Sequence, residues 1–403
     1  MVEQGEFGKK AFLVQALFMM TKAETKNAQG VFCPNPGCEA SGQCDAGNIV
    51  SHGRKRLRYK CKRCGKSFSA EQGTMFAGLR SDRTLVVIVI TLLASGCPVQ
   101  AIVQAYGLDE RTVADWRDRA APKGHPHCEK VHQAIVEQGE LELAHVQADE
   151  IRVKGSGILL WLGMAMMVGT RLWLGGVVSP RRDRPLADRL LAGVRRCARR
   201  GCALLVITDG WAAYPNAILR AFRHKVARHG QRGRCQLQVW ETLAIACVIK
   251  QTRQGGAAVF SLTKRILRGT PAFVMQQLIH SQGGLLINTA YIERLNATFR
   301  ERLAILTRRG RHATKRQETL HAAMFLLGTL YNFCTCHHSL RQPNFDQPHR
   351  PRWQQQTPAM ASGLTNHLWS VHELLSFKIP PPPFTPPKRR GRPPKIRSLP
   401  ATT

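Results

Sequence analysis

The clearest apolar periodicity lies in Asn288–Arg302, where hydrophobic residues recur every three or four positions, as in an amphipathic helix. Asn288 or Thr289 can cap the first turn, because either side chain accepts from free backbone N–H groups. A second face carries polar residues at helical spacing: Glu293, Asn296 and Arg300. The stretch predicts a rigid helix that presents a carboxylate, an amide and a guanidinium together. A surface helix with an ordinary Glu/Arg pattern is the alternative.

Strand patterns precede this helix and predict an α/β domain. Polar and apolar residues alternate in Leu143–Ile151, so Asp149 faces one side and Glu150 the other, where we expect a structural or supporting role. Ala203–Thr208 is fully apolar, which is typical of a buried parallel strand, and Asp209 follows it. Ligands gather at such strand ends. Further strands are predicted at Ile158–Gly163, Leu172–Val178 and Val239–Gln251, and helices at Leu186–Arg199, Pro271–Ser281 and Thr319–Phe333.

Three short helices are predicted earlier, within Ser81–Ala121. Ser81 or Asp82 caps the first, and Pro98 begins the second. Gly107 makes the turn before the third, so the pattern indicates a helix-turn-helix. The residues of the third helix expected to face a DNA major groove are Arg111, Thr112 and Arg117. Helical hairpins without any DNA-binding role share this pattern.

Paired cysteines near the N-terminus predict a zinc ribbon. Cys33 and Cys38 form one close pair, and Cys61 and Cys64 form another. Two such pairs on tight turns can direct four thiolates at one tetrahedral ion, whose binding supplies folding energy that a small module lacks. Cys44 is an alternative to Cys38, and unrelated free thiols are the alternative to a site. The basic segment between the pairs can neutralise phosphates without reading sequence.

The charge balance points to a polyanionic partner. The 403 residues include 59 Lys and Arg against 26 Asp and Glu, a formal net charge of +33. Nucleic acid is the first candidate and an anionic membrane surface the second. The longest apolar run, Ile158–Val178, is broken by Arg171, which argues against a membrane span. An odd count of 13 cysteines in a large basic chain favours a reducing, cytoplasmic location.

Three acidic residues then form a candidate catalytic set. Asp149 lies within a predicted strand, Asp209 at a strand end and Glu293 on the amphipathic helix. Three carboxylates around one cleft can hold two Mg²⁺ ions for an in-line phosphoryl transfer. For each aspartate alone, a turn-capping role is the competing interpretation.

Several motifs together resemble a DDE transposase of the insertion-sequence-one family. They are CPNPGC…YKCKRCGKSFS, the helix-turn-helix, VQADEI, VITDGWAAY, the long block that begins INTAYIERLNATFRER, and TPAMASGLTNHLWSVHELL. The similarity spans about residues 33–375. The first cysteine pair, with four intervening residues, and the CTCHHSL segment depart from the family pattern.

The resemblance implies a ribonuclease H-like catalytic domain that depends on Mg²⁺ or Mn²⁺ and cuts and joins the terminal inverted repeats of a mobile element. Carried over by position, the triad is Asp149, Asp209 and Glu293, with Asn296 and Arg300 at the polar positions that follow. Arg300 is expected to hold the scissile phosphate. The partners implied are double-stranded DNA, both element ends and target, and further copies of the chain in a dimer or larger assembly.

The tail is proline-rich and then basic, reading PPPPFTPP followed by KRRGRPPK. Arg390 and Arg392 flank a glycine, a pattern that resembles an AT-hook able to enter a narrow minor groove. A disordered basic tail that binds any phosphate is the alternative.

The whole chain is therefore predicted to be multidomain. We expect an N-terminal lead at 1–30, a zinc ribbon at 31–76, a helix-turn-helix at 81–121, an α/β catalytic domain with a mixed sheet flanked by helices at 140–341 (insertion about 235–287), a C-terminal segment at 342–378 and a tail at 379–403. The predicted function is DNA transposition in the cytoplasm, associated with the nucleoid. The alternatives are a non-catalytic DNA-binding regulator and a ribonuclease H-like nuclease without strand transfer.

Overall fold

A computed structural model describes the chain at residues 28, 30–53, 57–119, 127–226, 234–252, 259–282, 284–306, 316–344, 352–381, 384 and 386. The predicted N-terminal lead, apart from residues 28 and 30, and the AT-hook residues Arg390 and Arg392 lie outside this range. The described residues fall into two compact units. One draws on Met1–Gly73 and Pro380–Thr403, and the other on Thr74–Ile379.

The smaller unit is built on a three-stranded antiparallel sheet. Its strands, in the order β1-β2-β3, are β1 (Ile49–Ser51), β2 (Arg58–Cys61) and β3 (Ser67–Ser69). The rings of Tyr59 and Phe68 pack 5.9 Å apart, and the buried cysteines complete a small core around them. So little apolar burial gives a module of this size only marginal stability by itself.

The three helices predicted at 81–121 are present. They are α1 (Arg83–Ala94), α2 (Val99–Tyr106) and α3 (Glu110–Arg119). Asp82 caps α1 by accepting from the backbone N–H of Leu85 at 2.9 Å. Gly107 ends α2 with a φ of 62°, a left-handed conformation that suits glycine. Ile102, Val113 and Trp116 are buried and join the helices. A further helix, α4 (His127–Ile135), leads to the sheet.

The larger unit contains a mixed six-stranded sheet in the order β11-β10-β7-β4-β5-β6. Its strands are β4 (Ala144–Lys154), β5 (Leu159–Met167), β6 (Trp173–Ser179), β7 (Leu204–Asp209), β10 (Leu243–Thr252) and β11 (Val259–Arg268). Strand β7 runs parallel to both of its neighbours, β4 and β10, and the other pairs are antiparallel. A separate hairpin comprises β8 (Arg223–Val226) and β9 (Gln236–Val239).

Helices cover both faces of this sheet. They are α5 (Arg184–Cys197), α6 (Ala213–Ala221), α7 (Pro271–Gln282), α8 (Ala290–Arg302) and α9 (Gln317–Phe333). Leu186 and Leu190 of α5 pack against Gly163, so α5 lies on the face to which Glu150, the partner of Gly163 on β4, belongs. Helix α8 lies on the opposite face, because Gln147 accepts from the backbone N–H of Ile292 at 3.0 Å.

Helix α9 is buried along most of its length and anchors the sheet edge. Gly328 lies against the Trp173 ring so closely that an added Cβ would come within 2.3 Å of it. The Asn332 side chain donates to the Trp173 backbone carbonyl at 2.8 Å and accepts from the Trp173 backbone N–H at 2.9 Å. The chain continues through β12 (Gln342–Pro343), β13 (Trp353–Gln354), α10 (Pro358–Ala361) and α11 (Val371–Ser376). Among the described residues, no helix has the length and apolar character needed to cross a membrane.

Candidate active site and cysteine cluster

The four cysteines of the predicted ribbon converge in the smaller unit. The sulfurs of Cys33, Cys38, Cys61 and Cys64 all lie within 4.8 Å of one another. The Cys33–Cys64 sulfurs are 3.6 Å apart and the Cys38–Cys61 sulfurs 3.9 Å. A tetrahedral ion with metal–sulfur bonds of about 2.3 Å holds its sulfurs about 3.8 Å apart, so these thiols fit such an ion. Cys38, not the alternative Cys44, belongs to the cluster.

Polar groups around the cluster favour thiolate at the second pair. Burial opposes ionisation of Cys61, but the backbone N–H of Cys64 and the Asn48 amide, 3.3 Å away, lower its pKa to about 7. Burial raises the pKa of Cys33 and of Cys38. Burial also opposes ionisation of Cys64, but the backbone of Lys66 and the Asn35 side chain lower its pKa. Thiolate is the form that binds metal, so the lowered pKa values of this pair favour metal binding.

The two aspartates lie side by side at the centre of the sheet in the larger unit. Strands β4 and β7 are parallel, and their last paired residues are Ala148 and Thr208. Asp149 and Asp209 come directly after that pair, one on each strand. Carboxylate oxygens of Asp149, Asp209 and Glu150 lie within 4.8 Å of one another. Oxygen donors of this kind are the ligands that Mg²⁺ prefers, so the group fits a hard divalent cation.

Glu150 belongs to this acidic group, which corrects its predicted placement away from Asp149. Its Cβ does leave the opposite face of β4, but β7 ends at Asp209 and no longer separates the two faces there. The longer glutamate side chain therefore reaches Asp209. Its carboxylate accepts from the Tyr214 hydroxyl at 2.8 Å and pairs with Arg182.

Burial and the charges of neighbouring carboxylates make Asp149 and Glu150 hard to ionise. Burial, followed by the charges of Asp209 and Glu293, raises the pKa of Asp149 to about 6. Burial and the charge of Asp209 raise the pKa of Glu150 to about 7. Carboxyl groups crowded in this way favour either protons or a cation between them.

Helix α8 brings Glu293 to the same side of the sheet as Asp149. Asn296, buried and one turn beyond Glu293, donates to the Asp149 carboxylate at 2.8 Å. Glu293 itself pairs with Lys250 of β10 and accepts from the Thr289 hydroxyl at 2.6 Å. Burial opposes ionisation of Glu293, but these two partners outweigh it and lower its pKa. Glu293 lies outside the group formed by Asp149, Glu150 and Asp209, although its charge acts on Asp149.

Arg182, like Lys250, borders the carboxylates, and sequence patterns predict neither position. Arg182 pairs with Glu150 and, at 3.3 Å, with Asp209. Its guanidinium also lies over two indole rings, 5.4 Å from the Trp161 centroid and 4.6 Å from the Trp211 centroid. The basic PRRDR stretch before α5 is the only sequence feature that could draw attention to Arg182.

The predicted DNA-contacting residues occupy varied settings. Arg111 is exposed and Thr112 half-buried on α3, whereas Arg117 is half-buried and pairs with Asp118 at 3.0 Å. The sequence of α3 contains three acidic and three basic residues, so the helix has little net charge. Arg300 is half-buried and lies two turns from Glu293, about 10 Å along the axis of α8.

Comparison with protein-family models gives no match to the chain, and comparison with curated proteins gives none either.

Proposed function

We propose that the chain is a DDE transposase of the insertion-sequence-one kind, acting on nucleoid DNA in the cytoplasm. It binds the terminal inverted repeats of an element, cleaves DNA there and joins the freed end to a target. One observation carries the proposal. Asp149 and Asp209 adjoin on parallel strands, and the helix bearing Glu293 packs over them through the Asn296–Asp149 hydrogen bond.

The sheet supports a ribonuclease H-like interpretation. Strands β4, β5 and β6 are antiparallel, and the following strand of the sheet, β7, pairs in parallel with β4. Helices cover both faces. This architecture places a carboxylate in mid-strand next to one at a strand end. A third carboxylate arrives on a helix from later in the chain.

In the proposed reaction, Asp149, Asp209 and Glu293 would hold Mg²⁺ or Mn²⁺, and the bound metal would supply Lewis-acid stabilisation of the attacking and leaving oxygens of a phosphodiester. Asn296 holds the Asp149 carboxylate in place by donating to one of its oxygens. Hydrolysis breaks a P–O3′ bond and leaves a 3′-OH at the element end. That oxygen then attacks a target phosphorus, and the target's own 3′ oxygen leaves.

The remaining parts fit DNA recognition. Cys33, Cys38, Cys61 and Cys64 hold Zn²⁺, which stabilises the smaller unit rather than taking part in catalysis. Arg111, Thr112 and Arg117 on α3, Arg300 on α8, and Arg390 and Arg392 in the tail contact DNA. The net charge of +33 supports phosphate binding along much of the surface. Bringing two element ends together requires a dimer or larger assembly.

The test uses the full-length protein, Mg²⁺, and duplexes copied from the DNA on either side of its gene, together with a target plasmid. Joined products are expected from the wild type and none from Asp209→Asn, which keeps the shape of the side chain but loses its charge. Nicks without joining would favour a ribonuclease H-like nuclease. DNA binding that is equal in both proteins, with no cleavage by either, would favour a non-catalytic regulator.

A further inference from the structure

Within the part of the chain that the structure describes, basic side chains pair with carboxylates of the candidate active site. Arg182 pairs with Glu150 and Asp209, and Lys250 pairs with Glu293. Asp149 instead accepts from the neutral amide of Asn296. Two cations from the chain thus contact three of the four acidic groups gathered around the end of β7.

The charges balance differently once divalent cations are bound. Four ionised carboxylates carry four negative charges, and the two side-chain cations offset only half of them. Two divalent cations would offset all four. The metal ions would repel Arg182 and Lys250, which are also positively charged, and would bind the carboxylate oxygens that these two side chains contact now.

Arg182 has supports that do not depend on the carboxylates. Its guanidinium lies over the Trp161 and Trp211 rings, and such cation–π contacts persist when an ion pair is lost. The Arg182 side chain is 34% exposed and that of Lys250 is 45% exposed. Both charges therefore stay at the border of the site and remain accessible to a large anion.

We propose that Arg182 and Lys250 bind DNA phosphates at this centre. Until divalent cations bind the carboxylates, the carboxylates pair with these two side chains instead. The inference rests on the proposed function and adds to it. Arg182 offers a planar fork that matches a phosphate, and Lys250 offers a point charge beside Glu293. Metal binding releases the two basic side chains for DNA, and DNA binding releases the carboxylates for metal. Each binding event therefore favours the other.

The first readout is metal affinity without DNA, measured by calorimetric titration with Mn²⁺. Arg182→Gln and Lys250→Gln each remove a competing cation, so each is expected to bind Mn²⁺ roughly 3- to 10-fold more tightly than the wild type. The matched controls are Arg189→Gln and Lys225→Gln. Both lose one exposed positive charge elsewhere on the same unit, and neither is expected to change Mn²⁺ affinity.

The second readout is the salt dependence of binding to a 30-base-pair duplex, with and without 1 mM Ca²⁺. With Ca²⁺, each variant is expected to make the negative slope of log K against log salt less steep by about 1, the value for one lost phosphate contact. Without Ca²⁺ the slopes of variant and wild type are expected to agree. The control variants are expected to change the slope equally in both conditions.

The outcomes separate the two proposals. A wild type that binds no Mn²⁺ contradicts the proposed function itself. A wild type that binds Mn²⁺ with an affinity that neither variant changes overturns the inference alone. A variant that weakens both Mn²⁺ binding and DNA binding shows a merely structural role for that residue and also overturns the inference.

Discussion

Replacing Asp149 by Asn is expected to stabilise the protein in the absence of added divalent cations. The pKa of Asp149 rises from 3.8 to about 6 because the carboxyl group is buried next to Asp209 and Glu293. Keeping it ionised at pH 8 therefore costs about 3 kcal/mol, at 1.36 kcal/mol for each pH unit. Asparagine removes that cost and can still accept the hydrogen bond from Asn296.

The sign determines the pH window. Because the folded-state pKa is raised, the folded protein binds more protons than the unfolded chain between about pH 4 and pH 6. The wild type loses stability relative to Asp149→Asn as pH rises through that window. The difference is nearly absent at pH 4 and complete above pH 7.

Thermal unfolding of both proteins at pH 4.5 and pH 8, in buffer stripped of free divalent cations but without chelator, measures the effect. At pH 8 the variant is expected to melt about 5 °C higher, given the size of the unit. Asp115→Asn, an exposed aspartate on α3, is the control and is expected to change little. A variant that melts lower than the wild type by the same amount at both pH values would refute the reasoning.

Two further predictions concern stability and zinc. On the proposed zinc assignment, Cys61→Ser should lose the metal and unfold the smaller unit. Cys235→Ser, at an exposed cysteine outside the cluster, should do neither. Metal analysis with limited proteolysis measures both effects, and zinc retained by Cys61→Ser would contradict the assignment. Gly328→Ala should cost at least about 2 kcal/mol in denaturant unfolding, because its Cβ would overlap the Trp173 ring. Gly284→Ala has open space and is the control, and equal effects would contradict this packing argument.

Periodic patterns predicted the elements whose burial they encode. The helix around Glu293, the buried strand before Asp209 and the three N-terminal helices all appear with boundaries close to those predicted. The spacing of the cysteine pairs predicted their convergence, because short turns leave thiols few directions to point.

Edge elements and loop contacts were not predicted. Strand β11 was missed because it is an edge strand with three basic residues and exposed Leu262 and Ile266, so its alternation is weak. Its partner β10 carries Lys250 to Glu293, a contact fixed by strand pairing rather than by any local pattern. Arg182 reaches the carboxylates from a loop, and Glu150 reaches them past a strand end. Neither path leaves a periodic trace in the sequence.

The central claim is that Asp149, Asp209 and Glu293 together hold catalytic divalent cations. Anomalous X-ray scattering from crystals of the protein with bound Mn²⁺ and a DNA end tests it most directly. The account predicts Mn²⁺ about 2 Å from carboxylate oxygens of Asp149 and Asp209, with Glu293 turned from Lys250 to a metal ion. Crystals that contain DNA but show no Mn²⁺ at these carboxylates, or that keep Glu293 paired with Lys250 beside a bound ion, would contradict it.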